Sequence, residues 1–410
     1  MKYKRLYRTI DNFASAQFES EDEMLISVLN QIIFKEEVGI TGGRIWCLDV
    51  DTRAYKLVFQ TGAVDKIKPD FKIFISDYPV FSLIAKERTV LADETNITLR
   101  KKGIFKYSAT GVGSKKKIDG SQYYEYLLAL NSNQIDDELL YTMNIVATVL
   151  TSQLKQRRIT RSAQYLKADI DRAKQLQKSI LPEHEYKFHG FEMFGLTVPA
   201  DIIGGDFFDY LKIGDDEERL GITVGDAFSK GLSAAAEAMY ISGAVRMASI
   251  FQIKISPMMK RINELVHKIF SEAKFSSLFY GEISTDKNGL FLYANAGHNP
   301  PIFVKGNSDE IIYLPSTGPL LGTAPHSKYE TENINFSIGD VLVIYSDGIT
   351  EASNSAEEFY EERRLEDIVK ISKQLSSREI AYTILNEVIH FAKDGIYNDD
   401  KTLVVIKRIS

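Results

Sequence analysis

The chain has 410 residues, 44% of them hydrophobic and 26% charged, which predicts two or three globular domains and excludes a disordered or fibrous chain. Fifty basic against 56 acidic side chains leave a net charge of −6, which argues against bulk binding to nucleic acid or an anionic membrane. Cys47 is the single cysteine, so an intrachain disulfide and a cysteine-rich zinc cluster are both excluded, and a reducing, cytoplasmic compartment is expected. The opening MKYKRLYRTIDNF lacks a signal-peptide apolar run. The most apolar helical stretch, Leu139 to Leu150, is too short for a membrane span.

Residues 1–150 read as one α+β unit. Glu21–Phe34 sets Met24, Leu25, Val28, Leu29 and Ile32 at helical spacing, and Arg44–Val50 and Tyr55–Gln60 read as strands around a polar turn at Asp51–Arg53. Pro79–Lys86 reads as a short helix and Glu125–Asn131 as a returning strand. ATGVGSKKK (Ala109–Lys117) lacks the spacing of a phosphate loop, so a flexible basic loop is expected there, with Lys101, Lys102 and Lys115–Lys117 available to an anion. Trp46, Phe59, Phe74 and Tyr107 either line a pocket or belong to the core, and core is the expectation.

A helical pattern then runs from Asp136 to Ile180 without proline or glycine. Its apolar stripe, Leu139, Met143, Val146 and Leu150, is lost through Lys155, Arg157 and Arg158. It resumes at Leu166, Ala173, Leu176 and Ile180, with Asp169 interrupting the seam. Such a helix between two globular units predicts a linker, 151–182, that dimerises as a parallel coiled coil; a single bent helix packed on its own domains is the alternative. Leu181–Pro182 ends it.

From Phe191 the pattern changes to short strands: Phe191–Val198, Phe207–Ile213, Gly221–Val224, Leu278–Ile283, Leu290–Asn295, Ile302–Val304, Val341–Tyr345 and Thr402–Ile406. Helical stretches at Ser233–Phe251, Pro257–Glu272 and Ser377–Lys393 complete an α+β layered domain over 183–410.

Four acidic positions lie at strand ends or turns of that domain, each beside a glycine or a second carboxylate: Asp206 in IIGGDFFDY, Asp226 in TVGDAFSKG, Asp347 in VIYSDGITEA, and Asp399–Asp400 in YNDDKTLVVI. Glycine lets the backbone approach a ligand. Carboxylate and carbonyl oxygens suit Mg²⁺ or Mn²⁺ rather than Zn²⁺. A single Asp-Gly is usually a turn; four acids at strand ends point to a carboxylate metal site.

These residues also carry a resemblance. AKQLQKSILP (Ala173–Pro182), PADIIGGDFFD (Pro199–Asp209), GDAFSKG (Gly225–Gly231), NAGHNPP (Asn295–Pro301), GPLLG (Gly318–Gly322), GDVLVIYSDGITEASN (Gly339–Asn354) and NDDKT (Asn398–Thr402) occur in this order. Together they resemble the bacterial sporulation and stress-response branch of the PPM metal-dependent serine/threonine phosphatases. The resemblance implies a PPM-type α-β-β-α sandwich with two Mn²⁺ or Mg²⁺ ions between the sheets. By motif, Asp226 would bridge both ions, Asp206 and the carbonyl of Ala227 would serve one, and Asp347 and Asp399 the other. Asp209 and Asp400 would orient ligands or waters from behind. Catalysis would proceed through metal-activated water attacking phosphorus, without a phosphoenzyme.

Two features of eukaryotic relatives are missing here: Ala227 and Phe228 replace a histidine after the bridging aspartate, and no N-terminal arginine is placed to hold phosphate. His298, in AGHNPP, reads as a corner fixed by Pro300 and Pro301 rather than a general acid, and His267 as a solvated side chain. The N-terminal unit resembles a GAF sensor domain in its succession of elements, including Tyr78–Glu94 and Tyr123–Asn131, which would take a small-molecule or protein effector. The combined expectation is a cytoplasmic, dimeric phosphatase acting on a phosphorylated STAS-type anti-sigma-factor antagonist. The sensor would act through Ala173–Pro182 and the helix from Ser233. A non-catalytic partner-binding scaffold and a hydrolase of small phosphoesters are the alternatives.

Overall fold

The computed structural model describes residues 18–35, 40–101, 104–132, 136–214, 218–270, 274–285, 288–393, 395 and 399–410. Lys102, Glu272, Asn398 and the opening MKYKRLYRTIDNF lie outside them. Two compact units meet between Leu166 and Lys167.

The first unit contains helix α1 (Glu21–Lys35), strands β1 (Ile40–Asp49), β2 (Ala54–Gly62) and β3 (Lys72–Phe74), and helix α2 (Val80–Glu87). Strand β4 (Thr89–Asp93), a short helix α3 (Ile97–Arg100), and strands β5 (Lys106–Ile118) and β6 (Ser121–Ser132) follow. The strands form one antiparallel sheet in the order β3-β2-β1-β6-β5-β4. Successive side chains of a strand face opposite ways: Ile45 packs with Leu25, Leu29, Met143 and Leu150 on one face, and Trp46 with Leu57, Phe81 and Leu127 on the other.

The segment expected to be a flexible basic loop, Ala109–Lys117, is strand instead, paired with β6 across the hairpin. Its glycines serve close approach rather than looseness. A Cβ on Gly111 would lie 2.0 Å from the Tyr124 ring, and Gly113 takes φ 84° within the register break between Val112 and Lys115. Lys115–Lys117 are exposed on its outer end, and Lys115 sits over the Tyr124 ring. Of the four aromatics, Trp46 is buried core, Phe59 and Tyr107 are half-buried, and Phe74 is exposed.

Helix α4 is continuous from Asp137 to Ile180, 44 residues. The stripe Leu139, Met143, Val146, Leu150 and Leu154 is buried on the first unit's sheet. The basic run breaks the stripe because Arg158 turns to Glu21 and Glu125 of the same unit.

The second unit is a four-layer sandwich. Strands β9 (Phe207–Ile213), β10 (Arg219–Ala227), β11 (Ser276–Ser284), β12 (Leu290–Ala296) and β15 (Glu332–Asn335) form one antiparallel sheet. Strands β7 (Glu185–Phe188), β8 (Phe191–Val198), β13 (Ile302–Val304), β14 (Ile311–Tyr313), β16 (Val341–Tyr345) and β17 (Lys401–Arg408) form the other. Phe208, Ile222, Val224, Phe279 and Phe291 of the first meet Met193, Phe303, Leu342, Ile344, Val404 and Ile406 of the second. The alternate residues face outward to helices. Val343, Leu403 and Val405 pack under α8 (Glu361–Ser372) and α9 (Ser377–Phe391). Phe207, Leu278 and Ala294 pack under α5 (Leu232–Ile250) and α6 (Ile255–Ile269). This is the expected α-β-β-α order, with a single-turn α7 (Asp347–Thr350) after β16.

Candidate active site

Each candidate aspartate sits at a strand end. Asp206 immediately precedes β9, Asp226 is the penultimate residue of β10, Asp347 follows β16 after Ser346, and Asp399–Asp400 immediately precede β17. Strands β9 and β10 are antiparallel neighbours, as are β16 and β17, so the start of one lies beside the end of the other. Face-to-face stacking of the sheets brings both pairs of ends together. Asp226, Ala227, Lys230, Asp347, Asp399 and Asp400 line one cavity of about 370 Å³, with Asp206 buried beneath it.

Carboxylates crowded there resist ionisation. Burial, then the charge of Asp347, pushes Asp226 up to about 7. Burial, then Glu351 and Asp399, pushes Asp347 up to about 6. Asp206 is raised well above the ordinary range by burial and by the charges of Asp226 and Asp400. Its Oδ2 is buried with no hydrogen-bond partner. Among the described residues, no three His, Cys, Asp or Glu side chains form a ready-made ligand cluster. The donors facing the cavity are nonetheless all oxygen, and an orphaned buried carboxylate oxygen beside a second acid is a site that a hard cation would satisfy. This donor set fits a divalent metal.

Asp400 spends its carboxylate on backbone. Oδ1 accepts from Ala200 N at 2.8 Å, and Oδ2 from Gly205 N at 2.5 Å and Asp206 N at 3.3 Å. It therefore staples the loop that presents Asp206 to the start of β17. Two glycines permit the approach: a Cβ on Gly204 would lie 2.4 Å from the Asp400 carboxylate, and one on Gly348 2.0 Å from the Asp400 carbonyl oxygen.

Asp209 is not at the cavity. It accepts from Arg246 of α5, which also donates to the carbonyl of Ile180 at the end of α4. Gln177, one turn earlier, donates to the Gly204 carbonyl at 2.7 Å. These two links tie the last turn of α4 to the loop carrying Asp206, through Gln177, and to β9, through Arg246 and Asp209.

Sequence reasoning missed Arg246, Gln177 and Lys230. Lys230, the basic member of the cavity lining, donates to Asp399 Oδ2 at 3.2 Å. Its place within GDAFSKG was the available signal. The loop bearing it is braced by Glu237 of α5, which accepts from Ser229 at 2.8 Å and Lys274 at 2.6 Å. His298 is buried in a corner away from the cavity, its Nδ1 2.8 Å from Ser277 Oγ and its backbone N–H donating to Asn295. Burial holds it down at about 4, so it is neutral near pH 7. His267 is exposed, with Nδ1 2.8 Å from the Gly322 carbonyl.

Residues 216–409 match the family model described as Stage II sporulation protein E (SpoIIE). They form a SpoIIE-type PP2C phosphatase domain. PP2C is the PPM class expected from the motifs, so the domain is that of a serine/threonine phosphatase. The chain is 26% identical over 245 residues to "Phosphoserine phosphatase RsbU" of Bacillus subtilis, spanning 60% of this chain and 71% of that protein. It is 25% identical over 322 residues to "Protein IcfG" of Synechocystis, spanning 69% of this chain but only 48% of that one. Among solved structures, the SiaA-PP2C domain of Pseudomonas aeruginosa superposes with a TM-score of 0.51 at 17% identity, over 60% of this chain and 98% of that one; this likeness bears on fold alone. Among the described residues, no helix is long and apolar enough to cross a membrane.

Proposed function

We propose that the chain is a cytoplasmic protein phosphatase that removes phosphate from a phosphorylated signalling protein, a STAS-type anti-sigma-factor antagonist, under control of a GAF-like unit at its N-terminus. The observation that carries this reading is the meeting of Asp206, Asp226, Asp347 and Asp399 at one end of two stacked sheets, with an unsatisfied oxygen on Asp206. Asp206, Asp226, the Ala227 carbonyl, Asp347 and Asp399 would hold two divalent cations, Mn²⁺ or Mg²⁺. When bound, these would supply Lewis-acid polarisation of the phosphoryl group and an acidified water for in-line attack.

The chain's own groups do the rest. Lys230 sets a positive charge at the cavity to meet the phosphoryl oxygens, in place of the arginine that the sequence lacks. Asp400 holds the loop of Asp206 rigid. Phe228, 58% exposed on the cavity wall, offers an apolar contact to a folded partner displaying phosphoserine. The free Cys47 thiol suits a reducing compartment.

The linker reading rests on α4. Leu166 and Leu176 are exposed beyond the part buried on the first unit, and pairing two helices in parallel would cover them. Rotation of such a pair would reach the Asp206 loop through Gln177 and Arg246, which supports control by the N-terminal unit.

Incubating a phosphorylated STAS protein with Mn²⁺ and the full chain tests the reading. Phosphate release that is abolished in Asp226→Asn supports it. Stable binding without release would favour a scaffold, and fast small-ester turnover with indifference to the protein substrate would favour a general phosphoesterase.

A further inference from the structure

The first unit buries two opposite charges in one cavity without pairing them. Arg44, on β1, is 1% exposed. Its Nη2 donates to the Asp65 carbonyl at 2.8 Å and its Nη1 reaches Asn131 Oδ1 at 3.4 Å, while Nε has no partner. Glu94, just after β4, is 5% exposed. Its Oε1 accepts from Asn96 N at 2.7 Å, and Oε2 has no partner. The Tyr78 hydroxyl is a third buried polar group left open. All three line the same cavity of about 50 Å³, walled by Trp46, Phe81 and Tyr107.

The charge of Asp65 lies near Arg44, yet Arg44 Nε and Glu94 Oε2 stay open, and a buried charged group costs several kcal/mol unless its polar atoms are satisfied. Arg44 and Glu94 do not satisfy one another. Their strands stand three ladder steps apart in the order β1-β6-β5-β4, about 14 Å across the sheet, and Glu94 lies beyond Val90, the residue in register with Arg44 through Ala129 and Ala109; both side chains line the one cavity without a bond between them. Water there would neutralise neither charge. A molecule carrying an anion at one end and a donor cation at the other would neutralise both, and the aromatic walls favour the cationic end further.

We propose that this cavity binds a small zwitterion of the amino-acid type, its carboxylate on Arg44 Nε and its ammonium on Glu94 Oε2. The volume limits the occupant to something the size of glycine, alanine or serine. This inference rests on the first unit alone and is independent of the phosphatase reading.

Trp46 is the single tryptophan of the chain and lines the cavity, so its emission reports occupancy in the full-length protein. Titration with glycine, alanine and serine should give a saturable change for at least one of them. Acetate and methylammonium, which each carry one end only, should act at least about tenfold more weakly, and Arg44→Met and Glu94→Gln should each weaken the response about tenfold or more. Should either variant fail to fold by circular dichroism, Ala129→Leu, which fills the cavity while keeping both charges, must abolish the response. An emission spectrum indifferent to all three amino acids, acetate matching them, or an undiminished response in the folded variants would each overturn the proposal.

Discussion

Asp226 offers the sharpest perturbation. Held at about 7 against an ordinary value of 3.8, it binds a proton in the folded, metal-free protein where the unfolded chain has already released it. A carboxylate raised in this way contributes stability that is fully present below about 3.8 and is lost as pH rises through about 7. The displacement corresponds to roughly 4 kcal/mol, of which roughly 3 kcal/mol disappears between about pH 5 and about pH 8. In a unit of this size that is a fall in unfolding temperature of roughly 5–10 °C. Chelator-treated protein should therefore melt lower at the higher pH. Asp226→Asn should lessen the dependence, the raised Asp206 and Asp347 supplying what remains, and Mn²⁺ should restore the wild type but not the variant. A metal-free wild type whose melting temperature is flat or rises over that interval would refute the reasoning, because it would mean that Asp226 is not held neutral by burial and by Asp347.

Four further outcomes follow from the packing. Gly348→Ala would drive a Cβ into the Asp400 carbonyl; it should cost roughly 1–3 kcal/mol and nearly all turnover, read by denaturant unfolding and phosphate release. Gly243→Ala in α5, with open space around it, should leave activity intact and raise stability by up to about 1 kcal/mol. Arg246→Met would strip Asp209 of its cation and Ile180 of its donor, lowering stability by about 1–3 kcal/mol and, in phosphate-release assays, reducing turnover further in the full chain. Leu176→Glu, placing a charge on an exposed linker position, should convert a sedimenting dimer to monomer; a wild-type chain that already sediments as a monomer would exclude the coiled coil.

Much of the second unit was legible because its strands alternate cleanly. Phe191–Val198, Phe207–Ile213, Ile302–Val304 and Val341–Tyr345 begin and end where the sequence pattern does, since each inner face meets the other sheet and each outer face meets helices. The long helix was legible for want of any proline or glycine between Asp136 and Ile180. Local rules failed where tertiary contact decides the conformation. Gly111 and Gly113 suggested a loop, yet one lies under Tyr124 and the other accommodates a register break. Helix α8, EERRLEDIVKIS, was not anticipated because its helical stripe is thin: Leu365 and Val369 are its buried apolar anchors. The aspartates stood out through their glycine neighbours. Lys230 was signalled only by its place in GDAFSKG, its role needing the loop after β10 to meet Asp399; the roles of Arg246 and Gln177 exist only once β9, α5 and the end of α4 come together.

The central claim is that carboxylates from four separate strand ends share a pair of hard cations. Anomalous diffraction from crystals of the full chain equilibrated with Mn²⁺ tests it most directly. The account predicts two peaks between the sheet ends, with Asp226 touching both, Asp206 and the Ala227 carbonyl on one, and Asp347 and Asp399 on the other. Peaks elsewhere, or none at this cavity, would contradict it.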